Sequence, residues 1–157
     1  MLEKAIIIAT MAHMGHKRKG NEIPYIFHHM EVGYILASEE CREALIVAGI
    51  LHDTIEDTDL TAESIEELFG IEIKDLVLGA SESNRNVRGI TWEERKLHTL
   101  EYLEIRATRD VKLVSCADKL SNIRSMGKDL SAEKDKLWTR FNEGHEMQKW
   151  YYEGLVK

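Results

Sequence analysis

Apolar residues recur at helical spacing along most of the chain, and no run alternates strictly between paired turn signals, so the pattern predicts an all-α protein. Residues 2–19 carry Ile6, Ile7, Thr10, Met11 and Met14 on this period, and the first helix should stop at Gly20-Asn21. The single proline, Pro24, closes a loop from Gly20 and suits the first turn of a second helix that begins near Tyr25 and runs to about Ser38. A third helix, from Glu39 through Leu45, Val47, Ala48, Ile50 and Leu51, is apolar on most sides and should be buried in the middle of a bundle.

Thr61 is placed to cap a helix that reaches Phe69 and closes at Gly70, and residues 72–82 form another. Ser83 to Gly89, with Asn84, Asn86 and Gly89, is the longest clearly polar loop and is read as solvated surface. Thr91-Trp92-Glu93-Glu94 has the form of a capping box for a helix to about Ala107. From Asp110 to Met126, Leu113, Ala117, Leu120 and Ile123 make an apolar stripe. Beside it runs a second stripe of Val114, Asp118, Ser121, Asn122 and Ser125, whose polar groups need partners wherever they are buried. Lys134 to Val156 is amphipathic and aromatic, as a core or helix-contact segment would be.

The stretch that concentrates chemistry is Leu51-His52-Asp53-Thr54-Ile55-Glu56-Asp57-Thr58, at the end of the apolar third helix. On a helix, Glu56 lies four residues after His52 and Asp57 four after Asp53, so these groups share a face. Acidic residues commonly decorate a solvated helix end. Here, however, Glu56, Asp57 and Asp59 fall where the helix should terminate, and the negative end of its dipole disfavours them. Crowded carboxylates raise one another's pKa unless a cation intervenes, so the octet reads as a metal and proton-handling site.

With 157 residues the chain reads as a single domain, 1–157, with a core of its own. The 43% hydrophobic and 31% charged fractions are those of an ordinary soluble protein. A net charge of -7 argues against a general nucleic-acid binder or a coat on anionic membranes. No segment has the length of a membrane span, the N-terminal apolar run lacks signal-peptide flanks, and the cytoplasm is the expected compartment. Cys41 and Cys116 form neither a CxxC pair nor a disulfide framework and are read as packing residues.

Five of the seven histidines fall in the first third: His13, His16, His28, His29 and His52. His13 and His16 lie three apart on one expected helix face. His28 and His29 are about 100° apart around a helix, so only one can face a given site, and spacing alone does not choose. A set of two His and two Asp offers nitrogen and hard oxygen ligands with no thiolate, which suits Mn²⁺ or a similar six-coordinate ion better than a structural zinc. His16-Lys17-Arg18-Lys19 is the densest basic run in an acidic chain. It can serve the dipole of its own helix end, or neutralise a polyphosphate, with Arg suited to stack on a base.

Four ordered motifs carry a family resemblance: His13-Met14-Gly15-His16-Lys17-Arg18-Lys19-Gly20, Pro24-Tyr25-Ile26-Phe27-His28, the octet, and Lys112 through Asp118 to Asn122. Together, from about residue 4 to 126, they resemble the hydrolase half of the RelA/SpoT proteins, and in particular the small stand-alone alarmone hydrolases such as the metazoan SpoT homologue. The resemblance implies an all-α HD-domain bundle that binds Mn²⁺ and removes the 3′-diphosphate of (p)ppGpp, a small-molecule nucleotide, as pyrophosphate. Position by position it implies His28, His52, Asp53 and Asp118 as metal ligands, and Glu56 with Asp57 as the pair that activates the attacking water. Arg18, Lys19 and Asn122 are implied as nucleotide contacts. His29 stands where many members have proline, an extra residue precedes Pro24, and Ser125 occupies a position often held by threonine, departures that bear on the base pocket. Beyond residue 126 nothing is carried over, Arg140 being noted there as a cation within possible reach of a phosphate.

Two other functions compete. HD proteins include phosphatases of other nucleotides, such as NADPH or (p)ppApp, which would release different products. A degenerate HD domain could instead bind a nucleotide and regulate a partner, although such a module has no need of four ligands together with Glu56 and Asp57.

Overall fold

The computed structural model describes residues 1–82, 87–141 and 143–156, and for residues 133–136 the backbone alone. Its elements run α1 (Leu2–Ala12), α2 (Ile26–Ser38), α3 (Glu43–Leu51), α4 (Thr54–Asp57), α5 (Ala62–Phe69), α6 (Ile71–Ala80), α7 (Trp92–Ile105), α8 (Arg109–Glu133), a 3-10 helix (Lys134–Arg140) and α9 (His145–Leu155). Among the described residues the one β pairing is an isolated bridge between Lys17 and Pro24, so the all-α class holds. Residues 83–86 of the expected polar loop lie outside the described residues.

Several helix ends differ from the sequence expectation, each for a local reason. α1 stops at Ala12 rather than near Lys19. Gly15 then takes φ +82, and the chain doubles back, with the Arg18 N–H donating to the Ile23 carbonyl at 2.8 Å and the Tyr25 N–H to the His16 carbonyl at 2.9 Å. His16-Lys17-Arg18-Lys19 therefore lies in a loop, not at a helix end. The break between α2 and α3 is a Schellman turn: Cys41 N–H donates to Leu36 O at 3.0 Å, Glu40 N–H to Ala37 O at 3.1 Å, and Glu40 takes φ +53. α2 therefore ends at Ser38, as the pattern predicts, while the turn through Glu40 holds the start of α3 back to Glu43 rather than Glu39. Conversely, Gly127 does not end α8, which continues to Glu133.

Two caps form as the pattern predicts. Thr91 accepts from the Glu94 N–H at 3.2 Å while Glu94 accepts from the Thr91 N–H at 2.7 Å, and Thr61 accepts from the Ser64 N–H at 3.2 Å before Gly70 closes α5 at φ +90.

The chain divides into two compact units. The first comprises Met1–Ser81 and Thr108–Asn122. Within it α3 is buried almost all round, as its composition requires, and packs on α1, α2 and α6. Val47, Ala48 and Leu51 join Ala5, Ala9, Val32, Ile65, Ile73, Val77 and Val114 in its core. α2 and α3 approach at Gly33 and Gly49: a Cβ at Gly33 would lie 2.7 Å from Ile50 Cγ1, and one at Gly49 2.5 Å from Leu36 Cδ1. Small residues at both crossings let the start of α2 and the end of α3 come together. Contrary to expectation, Cys116 is exposed and takes no part in the core.

The second unit comprises Glu82–Ala107 and Ile123–Lys157. α7 packs on α9, with Trp92 6.4 Å from Trp150 and 6.1 Å from Tyr151 between ring centroids, and Gly154 admits the Leu100 side chain. The expected continuous terminal amphipathic segment is divided between the 3-10 helix, where Leu137 is buried, and α9.

Candidate metal centre

Three segments of the first unit converge. His28 lies in the first turn of α2, His52 and Asp53 occupy the break between α3 and α4, and Asp118 sits within α8. The expected continuous helix through the octet is interrupted there. Asp53 takes φ −95 and ψ −2, while Thr54 Oγ1 donates to Leu51 O at 2.7 Å, and the new short helix α4 begins.

The side chains aim at one another. His28 Nε2 lies 3.3 Å from His52 Nε2 and 3.1 Å from Asp118 Oδ1, and His52 Nε2 lies 3.6 Å from the same oxygen. Asp53 Oδ2 stands 3.2 Å from His52 Nε2 and 4.0 Å from His28 Nε2. His28, His52 and Asp118 each offer a ligand atom within 4.8 Å of the others, and all three are buried.

The hydrogen bonds behind these groups say what the cluster lacks. A carbonyl can only accept, so the 2.7 Å contact of His52 Nδ1 with Gly49 O puts a proton on Nδ1 and turns Nε2 toward the cluster. Burial alone would disfavour the His52 imidazolium, but the Asp53 and Asp118 carboxylates outweigh it and hold its pKa well above the ordinary value. Burial keeps His28 below the usual range despite its contact with Asp118. Asp53 stays far below the carboxylate range although burial opposes ionisation, because the His52 charge dominates. Asp118 does likewise beside Lys119 and the two imidazoles. The centre thus demands positive charge, as a proton on His52 or as a metal ion. Two imidazole nitrogens and two carboxylates fit a divalent cation of borderline to hard character.

Around this centre Asn122 Nδ2 donates to Asp118 Oδ1 at 2.7 Å, and Arg18 donates to Asn122 Oδ1 at 3.0 Å with its guanidinium 5.5 Å from the Tyr25 ring centre. The structure therefore joins Arg18 and Asn122 to the ligand cluster. Lys19 is exposed on the same loop. Glu56 and Asp57 are half-buried on α4, directly after Asp53; burial and the Asp53 carboxylate raise the pKa of the Tyr25 phenol, and Asp57 adds to that rise. In the second unit Arg140 pairs with Asp129 at 3.1 Å.

His29 turns away from the cluster, its Nδ1 meeting Ile50 O at 2.9 Å, and stacks on His13 with ring centres 4.2 Å apart. Burial lowers the pKa of His29 to about 3 and that of His13 to about 4. His13 Nδ1 lies 3.2 Å from His16 Nδ1, an approach made in the turn after α1 and not along a helix face.

Tyr25, Lys119 and Glu31 were not singled out from the sequence, whereas Ser121 stood in the polar stripe whose groups needed partners. Tyr25 donates its phenolic proton to Asp53 Oδ2 at 2.6 Å, Lys119 pairs with Asp118 Oδ2, and Ser121 Oγ sits 2.9 Å from both His28 Nδ1 and Glu31 Oε2. Glu31 follows His28 by three residues on α2, and Ser121 follows Asp118 by three on α8, so the spacing of helix neighbours was an available signal.

The family model described as HD domain matches residues 5–143. Over 138 residues, 85% of this chain, the sequence is 36% identical to a GTP pyrophosphokinase of Myxococcus xanthus, and over 129 residues, 81%, it is 36% identical to the GTP pyrophosphokinase rsh of Brucella melitensis. The matched stretches are 18% and 17% of those proteins, so the chain spans less than a fifth of the curated relatives it matches. Among solved structures, a Listeria monocytogenes protein aligns with TM-score 0.73 and 39% identity, covering 82% of this chain and 80% of that one. A metazoan SpoT orthologue described as hydrolysing ppGpp aligns with TM-score 0.78 and 28% identity, covering 99% of this chain and 81% of that one.

Proposed function

The chain belongs to the HD domain family, and from that premise we propose that it is a Mn²⁺-dependent hydrolase that removes the 3′-diphosphate of (p)ppGpp as pyrophosphate, leaving GDP or GTP. The observation that carries the reading is the convergence of His28, His52, Asp53 and Asp118 on a centre that demands positive charge. The likeness to a SpoT orthologue described as hydrolysing ppGpp supports the choice of substrate. The proposal treats residues 1–157 as one catalytic domain acting in the cytoplasm, and no helix among the described residues is long and apolar enough to cross a membrane.

His28, His52, Asp53 and Asp118 would hold the ion, which when bound supplies an acidified water and neutralises phosphoryl oxygens. Glu56, oriented by Asp57, accepts the proton of the attacking water as it adds to the phosphorus on the ribose 3′-oxygen, a contribution of roughly 10²- to 10⁴-fold; the bond from that phosphorus to the 3′-oxygen breaks, and the 3′-oxygen leaves with the electron pair and takes a proton from solvent. Arg18 stacks on the base, Lys19 faces the phosphates, and Asn122 holds a nucleotide oxygen. Tyr25 orients Asp53 by its hydrogen bond, and Lys119 helps keep Asp118 ionised.

Product analysis after incubation with Mn²⁺ and a panel of 3′-phosphorylated nucleotides tests the reading. Pyrophosphate from ppGpp is the expected result. Orthophosphate with NADPH as the preferred substrate would move the chain to another HD phosphatase activity, and tight nucleotide binding with no turnover would make it a binding module.

A further inference from the structure

We propose that Glu31 and Ser121 form a positioning relay that fixes the tautomer of His28 and so presents its Nε2 lone pair to a divalent cation; the inference rests on His28 being a metal ligand. Ser121 is fully buried, with its Oγ 2.9 Å from Glu31 Oε2 and 2.9 Å from His28 Nδ1. A hydroxyl carries one proton, and a carboxylate only accepts, so that proton points at Glu31. Ser121 Oγ is left to accept from His28 Nδ1–H, and Nε2 is bare toward Asp118, Asp53 and His52.

Proton direction then runs one way, from imidazole to hydroxyl to carboxylate. The carboxylate draws the hydroxyl proton, the hydroxyl draws the imidazole proton, and Nε2 gains basicity as a ligand. His52 is turned the same way by a shorter route, donating Nδ1–H to the Gly49 carbonyl. Both imidazoles thus turn Nε2 to the centre, His52 giving up its Nε2 proton only when a cation binds, and one ring is held by backbone and the other by side chains alone. Only the second can be tuned by substitution without moving a helix end. Glu31 is half-buried, placed three residues after His28 on α2.

The test uses Mn²⁺ alone, with no nucleotide, on the full chain. Glu31→Ala should weaken Mn²⁺ binding in calorimetry by about 10- to 100-fold, the loss typical when the outer partner of a metal-bound histidine is removed. Glu31→Gln, which keeps an oxygen acceptor and loses the charge, should recover part of that loss. In long-range ¹H–¹⁵N spectra of the metal-free protein His28 should carry its proton on Nδ1, and Ser121→Ala should remove that preference. The spectra decide the matter even if Ser121→Ala loses stability, because Glu31→Ala alters a half-buried position. Parent-like Mn²⁺ affinity in Glu31→Ala, or a His28 proton on Nε2 in the parent, would overturn the relay. A parent that binds no Mn²⁺ overturns both this inference and the proposed function, whereas a parent that binds Mn²⁺ and hydrolyses no alarmone overturns only the function.

Discussion

Metal binding at the candidate centre should expel one proton, and only one. Without a metal, His52 holds the positive charge that Asp53 Oδ2 at 3.2 Å and Asp118 Oδ1 at 3.6 Å require, and its pKa lies well above the usual 6.5. His28 is kept neutral by burial and has no proton to give up. A cation and a proton then compete for the same His52 nitrogen. Below the raised His52 pKa, affinity should climb about tenfold per pH unit, or ~1.4 kcal/mol. Calorimetric titration of Mn²⁺ in two buffers of different ionisation enthalpy counts the released protons directly. A count near zero, with affinity flat across the same range, would refute the charge assignment, and a count near two would show that His28 is not held neutral.

Asp53→Ala and Asp118→Ala should abolish Mn²⁺ binding and turnover together, whereas Glu56→Ala should retain the ion and lose roughly 10²- to 10⁴-fold in kcat; parent-like hydrolysis by Glu56→Ala would mean the base is assigned wrongly. His29 contributes a pH dependence of stability in the opposite sense to His52. Its folded pKa of about 3 lies below the unfolded value, so protons favour the unfolded chain and stability falls as pH drops below about 6.5. By about pH 5 the loss from this residue is about 2 kcal/mol, and His29→Gln should show a correspondingly smaller shift in urea midpoint, an unchanged shift being the contrary result. Two glycine substitutions should move thermal stability in opposite directions. Gly33→Ala overpacks Ile50 and should cost about 1–3 kcal/mol, while Gly127→Ala, in open space within α8, should gain up to about 1 kcal/mol. Equal shifts in melting temperature would contradict the packing argument.

The all-α class and the caps at Thr61 and Thr91 were legible because they depend on residues close in sequence. The set His28, His52, Asp53 and Asp118 came from the family resemblance, which chose His28 where spacing left His28 and His29 open; the structure brings these four side chains together, and their holding a metal is the proposal. What stayed hidden depends on tertiary approach or on unusual residues at ordinary turns. The left-handed turn at Glu40 holds α3 back to Glu43 rather than Glu39, and the fold-back from Gly15 to Tyr25 takes the basic run out of α1. The partners of the candidate ligands were hidden for a third reason. Tyr25 meets Asp53 where α2 and α3 are brought together at Gly33 and Gly49, and Ser121 of α8 meets His28 and Glu31 of α2, approaches between helices that sequence neighbours alone do not report.

One cation held by side chains from α2, the α3–α4 break and α8 is the centre of the proposed chemistry. Crystals grown with Mn²⁺ and measured at its absorption edge should give an anomalous peak within bonding distance of His28 Nε2, His52 Nε2 and the carboxylates of Asp53 and Asp118. A map with no peak among these four groups, or a peak elsewhere, would contradict it.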